Sequence, residues 1–329
     1  MPARARPPLL VRDCSEQITE EGRLRIDPRG VLCPEVAASA QRDQQRQDAG
    51  PRAPLTQGRQ FTGEPRWNVW ADSGYTDSAD RRFGLESNFA SRYLTLGTDR
   101  LLTDRFVFGL NLTIQDSNSD SFHDTMKVKS NGVTAGPYIA YRVSSSWTLN
   151  GSFSVGWNNN KQLVGPLRSD YGLTTYVTTV SATGQYEIGK TVLRPGLDVS
   201  YTFFRTGAEE LRGTIGGFPL TVSSDAIGSG YGTVEPSVEI SHTFHIGERI
   251  VIPYVEPRVV YEYLRPGGGL MLTADLTKAA PKPWNGALRA GVRTAISSSM
   301  FLETSVGYLS FGQPNLRVGS FRLFASFGF

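Results

Sequence analysis

Histidine and cysteine are the side chains that most readily ligate a metal or open an acyl bond, and this chain has three of the first and two of the second. His242 and His245 lie three apart in an extended stretch. Side chains alternate across a strand, so the two imidazoles point to opposite faces and cannot share a metal. His123 stands near Asp120 and Asp124, a thin basis for a hydrolytic site. Cys14 and Cys33 fit no paired-cysteine zinc pattern; they either close a small disulfide loop in an oxidising compartment or remain separate thiols. No G-x-S-x-G elbow and no phosphate-binding glycine loop occurs. The expectation is no catalytic residue, no cofactor and no metal.

A second set of charges suggests physical work instead. Arg194, Asp198, Glu235, Glu239, Glu256, Arg258, Glu262, Arg289, Arg293 and Glu303 sit on the polar side of alternating segments, opposite valine, leucine and tyrosine. Facing one another across a wet interior, such carboxylates and guanidiniums would pair and would bind a polar segment. Arg42 and Arg46 of the N-terminal region could meet the glutamates. A solvated interior with no specific role is the plainer reading of the same charges.

The elements that hold them are strands. Phe106, Phe108, Leu110, Leu112 and Ile114 share one face, while Val107, Gly109, Asn111, Thr113 and Gln115 share the other. The same period of two runs through Trp147–Trp157, Leu193–Phe203, Val234–Phe244, Val251–Tyr263 and Leu288–Ile296, and about twelve strands are expected after Trp67. Tight connections near 99–104, 144–146, 189–190, 247–248 and 297–299 alternate with long ones near 76–86, 116–125, 159–171, 206–230 and 266–282. Short turns at one end and long loops at the other are what an up-and-down barrel in an outer membrane needs. Pro195, Pro236, Pro253 and Pro257 fall inside these strands, where bulges or strand starts are expected.

The last ten residues read S-F-R-L-F-A-S-F-G-F. Phe321, Leu323, Phe327 and Phe329 line one face of a final strand, a lipid-facing edge and membrane-assembly signal. Trp67 and Trp147 should mark the short-turn rim, and Tyr261 and Tyr263 the opposite rim, because amphipathic rings favour the headgroup layer.

Composition sets the outer limits. The 329 residues are 39% hydrophobic with a net charge of +3, too mild a balance for nucleic acid, and no stretch approaches the ~20 apolar residues of a membrane-spanning helix. Residues 1–62 are rich in Arg, Gln, Pro and Glu and form a largely disordered tail, with one helix-prone run over 35–47. Met1–Asp13 has no apolar core of a signal peptide, so an upstream start is expected in the source DNA.

From Trp67 to Phe329 the chain resembles the autotransporter β-domain, the translocator of type V secretion. W-N-V-W-A-D-S-G-Y (67–75) is similar to that family's first strand. L-G-T-D (96–99) followed by D-R-F-V-F-G-L-N-L-T (104–113) is similar to its second hairpin. L-R-P-G-L-D-V-S-Y (193–201), V-E-P-S-V-E-I-S (234–241) and I-P-Y-V-E-P-R-V-V-Y-E-Y (252–263) resemble its proline-bearing strands, and the terminal F-G-F completes the likeness. The resemblance implies an all-β, transmembrane antiparallel barrel of twelve strands over 63–329, with a helix through its pore joined to an N-terminal passenger. Residues 35–47 are the candidate for that helix. It further implies a monomer in the cell outer membrane of a Gram-negative organism. Its partners would be outer-membrane lipid, the barrel-assembly machinery through the last strand, and its own N-terminal segment or passenger. A stand-alone porin or surface adhesin and a barrel hydrolase are the alternatives.

Overall fold

The computed structural model describes residues 53–59, 65–84, 86–247, 249–266, 271–272, 278–297 and 299–329. The expected helix over 35–47 and both cysteines lie outside the described residues.

Apolar and polar side chains are sorted inside out. Phe108, Leu110, Leu112 and Ile114 are 42–53% exposed, whereas Val107 on the opposite face is fully buried. Arg293, Glu303, Asn68 and Asp99 are among the most deeply buried side chains. Such sorting suits a sheet with lipid outside and polar groups inside.

Twelve strands make the wall: β1 (Trp67–Asp80), β2 (Ser87–Thr103), β3 (Phe106–Ser121), β4 (Met126–Arg142), β5 (Trp147–Val164), β6 (Leu167–Gly184), β7 (Thr191–Thr206), β8 (Ile227–His242), β9 (Arg249–Leu264), β10 (Trp284–Ala295), β11 (Met300–Phe311) and β12 (Leu316–Gly328). Each pairs antiparallel with its neighbours in the chain, and β1 pairs with β12 over thirteen registered positions, from Asn68 opposite Gly328 to Asp80 opposite Leu316. That last pairing closes the barrel. Closure removes the sheet edges that a hydrocarbon medium cannot hydrate. At the seam the Trp67 and Phe329 backbones exchange two hydrogen bonds of 2.9 Å, so the terminal aromatic is fixed rather than frayed.

Two expectations about the connections are corrected. Residues 116–121 and 159–164 are strand, not loop, and β5 joins β6 through Gly165 and Pro166 alone. Here S-N-S-D-S and N-N-N-K-Q lose their alternation because both faces of the hairpin are wet above the membrane, although backbone pairing continues. The β1–β2 connection is also short, residues 81–86, so short and long connections do not strictly alternate. Long ones remain at 207–226, which contains a hairpin of Glu209–Ile215 with Phe218–Ser224, and at 265–283.

The prolines are likewise not at bulges. Between β8 and β9, Val234 faces Tyr261, Ser237 faces Arg258 and Ile240 faces Val255 in one register, and the shift falls at Gly232/Thr233. Pro195 sits opposite Val238, and Pro253 and Pro257 opposite Val292 and Leu288, in unbroken ladders. In an antiparallel sheet each backbone N–H points to one neighbour only, so a proline forfeits one bond while the ladder on its other side keeps the register.

Candidate functional site: the charged lumen

Arg194, Asp198, Glu235, Glu239, Glu256, Arg258, Glu262, Arg289, Arg293 and Glu303 project from β7–β11 on the face opposite the exposed apolar residues. Alternation alone puts them there. The curvature of the wall then brings groups from different strands together. Arg293 is the centre: Nε donates to Glu303 Oε2 at 2.7 Å, and Nη1 and Nη2 donate to the two oxygens of Glu239 at 2.5 Å each. The guanidinium lies 4.0 Å from the Tyr254 ring centroid, and the Tyr254 hydroxyl donates to Glu303 Oε1 at 2.7 Å. Arg194 donates to Glu239 at 2.8 Å.

One layer further along the strands, Arg258 bridges Glu235 and Glu256, at 2.8 Å each, and Arg289 Nε donates to Glu256 at 2.8 Å. Asp198 is the register partner of Glu235, so two carboxylates share the neighbourhood of Arg258. Glu262 accepts from the Tyr231 hydroxyl at 3.1 Å. The predicted charges therefore meet mostly as pairs within the wall.

Several functional residues were not foreseen. Arg322 of β12 grips Asp72 of β1 through two nitrogens, at 2.8 and 2.7 Å, tying the closing strands together from inside. Residues 53–59, just before β1, lie inside the lumen. Ala53 and Leu55 are each 1% exposed, and Leu55 packs on the inward Val107 and Ala140. The Ala53 amide donates to Ser145 O at 2.7 Å, and Arg142 Nε donates to Ala53 O at 3.1 Å, which places this end beside the short β4–β5 turn. Gln57 reaches the charged layer, donating to Glu303 at 3.0 Å and accepting from Arg322 at 3.0 Å. Arg59 is buried against Asp99 at 2.6 Å. Asp99 also accepts from Asn68 at 3.1 Å and from the Tyr138 hydroxyl, itself hydrogen-bonded by Trp70 Nε1.

Two glycines make room for those rings. A Cβ on Gly97 would come within 2.2 Å of Trp70, and one on Gly109 within 2.3 Å of Tyr138. Each ring lies flat over the glycine directly opposite it in the ladder. Trp67 and Trp70 are three apart, so one of them had to face inward; that was the signal available in the sequence.

Above this floor lies a cavity of about 650 Å³, bounded by Pro54–Gln57 below and by the Arg and Glu residues of β7–β10 at its side. Its other side, from β3 to β6, presents Asn111, Asn150, Ser152, Thr179 and Thr183. No group of three or more His, Cys, Asp or Glu side chains among the described residues could hold a metal. The arrangement can order a polar chain.

On the outer face, Trp67 and Trp147 sit at the short-turn rim, with Trp147 Nε1 donating to Tyr186 at 2.9 Å. Tyr261 stacks 4.2 Å from Trp284 at the other rim, and Tyr263 is exposed beside them. Phe321, Leu323, Phe327 and Phe329 are 42–63% exposed along β12 and its end. Trp157, not foreseen as a rim residue, caps the outer face of β5 ten residues above Trp147. That is roughly 34 Å along the strand, or about 26 Å once tilted, which fits an apolar band of about 25 Å.

A family model described as autotransporter β-domain matches residues 68–307. Among solved structures, the chain resembles the translocator domain of autotransporter NalP from Neisseria meningitidis, at 15% identity, 90% coverage of this chain, 98% of that one, and a TM-score of 0.65. The β-domain of the Bordetella autotransporter BrkA matches at 17% identity over 80% of this chain and 100% of that one, with a TM-score of 0.63. The transport unit of autotransporter AIDA-I from Escherichia coli matches at 12% identity over 79% and 90%, with a TM-score of 0.56. No curated protein sequence matches the chain.

Proposed function

We propose, from the premise that this chain belongs to the autotransporter β-domain family, that this outer-membrane translocator barrel passes an N-terminal passenger outward through its lumen and then anchors it at the surface. The observation that carries the reading is the path of residues 53–59: the segment just ahead of β1 lies within the lumen, held by Gln57 and Arg59. The segment spans the short-turn mouth of the lumen, from Arg59 beside Asp99 to Ala53 beside the β4–β5 turn. Residues 1–62 serve as the linker between passenger and wall.

The work is physical rather than covalent. The paired state of the lumen carboxylates supports this, since a general acid or base needs a free proton site and most of these carboxylates are already engaged by guanidinium groups. The outer face of β12 supports docking to the barrel-assembly machinery through Phe321, Leu323, Phe327 and Phe329, and the apolar belt supports a monomer surrounded by lipid.

The test is an epitope-tagged passenger fused ahead of Met1 behind a signal peptide and expressed in a Gram-negative host. External protease should remove the tag from intact cells while leaving a folded barrel that shifts on unheated gels. A folded barrel whose tag stays protected would contradict the proposal.

A further inference from the structure

Above the lipid belt the outer face of β2–β5 carries a cluster of charged side chains. Arg92, Asp116, Lys129 and Lys161 lie an even number of residues above Leu94, Ile114, Ile139 and Trp157 on β2, β3, β4 and β5, so they share the outer face with those lipid-facing side chains. Lys129 and Lys161 are direct register partners. Like charges placed opposite one another repel, and a sheet gains nothing from them unless an anion lies between.

Among the described residues neither lysine has an ion-pair partner. Asp170, opposite Lys161 in the ladder, lies beyond ion-pair distance of it, and Asp116 is engaged by Arg92 at 3.3 Å. Asp120 and the Lys127–Asp124 pair stand farther out on the same hairpin. Arg92, Asp116, Asn118, Lys129, Asn131 and Lys161 border a recess of about 370 Å³. It therefore combines two unneutralised ammonium groups and two amide side chains beside the Arg92–Asp116 ion pair, a net positive donor set that suits phosphate oxygens.

Height selects the source of the phosphate. Lys161 is four residues above Trp157, roughly 13 Å along the strand or about 10 Å once tilted, which is the outer edge of the headgroup layer when Trp157 marks the hydrocarbon boundary. Elsewhere on the wall, β8 presents Gly228, Gly230 and Gly232 at its outward positions above the belt, while β7 and β12 present the cations Arg205 and Arg317.

We infer that the Arg92–Lys129–Lys161 recess is a docking site for the phosphorylated headgroup of an outer-leaflet glycolipid. The lipid would lie against β3–β5 with its acyl chains on Ile114, Ile139 and Trp157 and its phosphate between the two lysines. One anionic lipid then orients the barrel in the plane of the membrane and relieves the Lys129–Lys161 repulsion.

The test uses the full chain, refolded in neutral detergent and titrated with lipid A by native mass spectrometry and by thermal melting. Lipid A should bind and raise the melting temperature, whereas phosphatidylethanolamine and millimolar inorganic phosphate should not. The double variant Lys129→Ala/Lys161→Ala should bind lipid A roughly ten- to thirtyfold more weakly, as expected for loss of two surface cations near an anionic layer. Lys129→Arg/Lys161→Arg should retain binding, and Arg317→Ala, an outward cation elsewhere on the wall, should leave it unchanged. Equal binding by the alanine variant, an equal loss in Arg317→Ala, or an equal shift from inorganic phosphate would each overturn the inference. The arginine variant guards against a trivial folding defect: should it lose binding while still folded, the inference also fails.

Discussion

The lumen has two unlike walls. From β7 round to β1 the inward positions carry Arg194, Asp198, Glu235, Glu239, Glu256, Arg258, Arg289, Arg293, Glu303, Arg322 and Asp72. From β3 to β6 the cavity is lined by asparagine, serine, threonine and the Tyr138 hydroxyl, and charge appears near the floor as Asp99 on β2 and Arg142 on β4. Both walls are wet, and they do different jobs. Charges buried in the first wall are worth keeping only as complete pairs, so they lock strands and the 53–59 segment into one arrangement. The second wall offers hydrogen bonds that water or any polar chain can exchange, so it lets a polypeptide slide without binding it at one place.

The largest expected effect comes from breaking the charged wall at its centre. Arg293→Ala leaves Glu239 with Arg194 and Glu303 with Tyr254 and Gln57, removes the guanidinium shared by two buried carboxylates, and should cost about 3–5 kcal/mol, read by denaturant unfolding of the refolded barrel. Asn150→Ala on the other wall should cost under about 1 kcal/mol in the same assay; similar losses would erase the distinction between the walls.

Next is the floor. Gly109→Val would push Tyr138 off the wall and away from Asp99, at a cost of about 1–3 kcal/mol. The same displacement loosens the residue that helps hold Arg59.

Arg59→Ala removes the buried partner of Asp99 and should cost about 1–3 kcal/mol. Its sharper readout is conductance in a planar bilayer, which should rise as the 53–59 segment leaves the short-turn mouth. Unchanged conductance would mean that the segment does not seal the lumen. The smallest effect belongs to the exposed Arg92–Asp116 pair, where Arg92→Ala in lipid-free detergent should change stability by less than about 1 kcal/mol.

Much of the wall was legible in the sequence and little of the floor. The β3 alternation from Phe106 to Ile114 is visible because lipid on one side and water on the other demand opposite chemistry at neighbouring residues. It fades above Ile114 because both faces are wet there, and the hairpin then reads as a loop although it is paired to Ser121. The inward position of Arg293 and Glu239 follows from the same period. Their meeting does not, since they lie on strands separated by β9 and depend on how far each strand is sheared along the wall. Arg59 and Asp99 escaped for a different reason: residues 53–59 carry no periodicity of their own, and only the shape of the lumen specifies where they rest.

The most direct test is labelling along β3 in lipid vesicles. With Cys14→Ser and Cys33→Ser as background, single changes Asn111→Cys and Leu112→Cys place thiols on adjacent residues. A charged, membrane-impermeant maleimide should modify the thiol at 111 and leave the one at 112 untouched until detergent is added. Equal reactivity at both positions, or protection at 111 with reaction at 112, would contradict a wall with lipid on one side and water on the other.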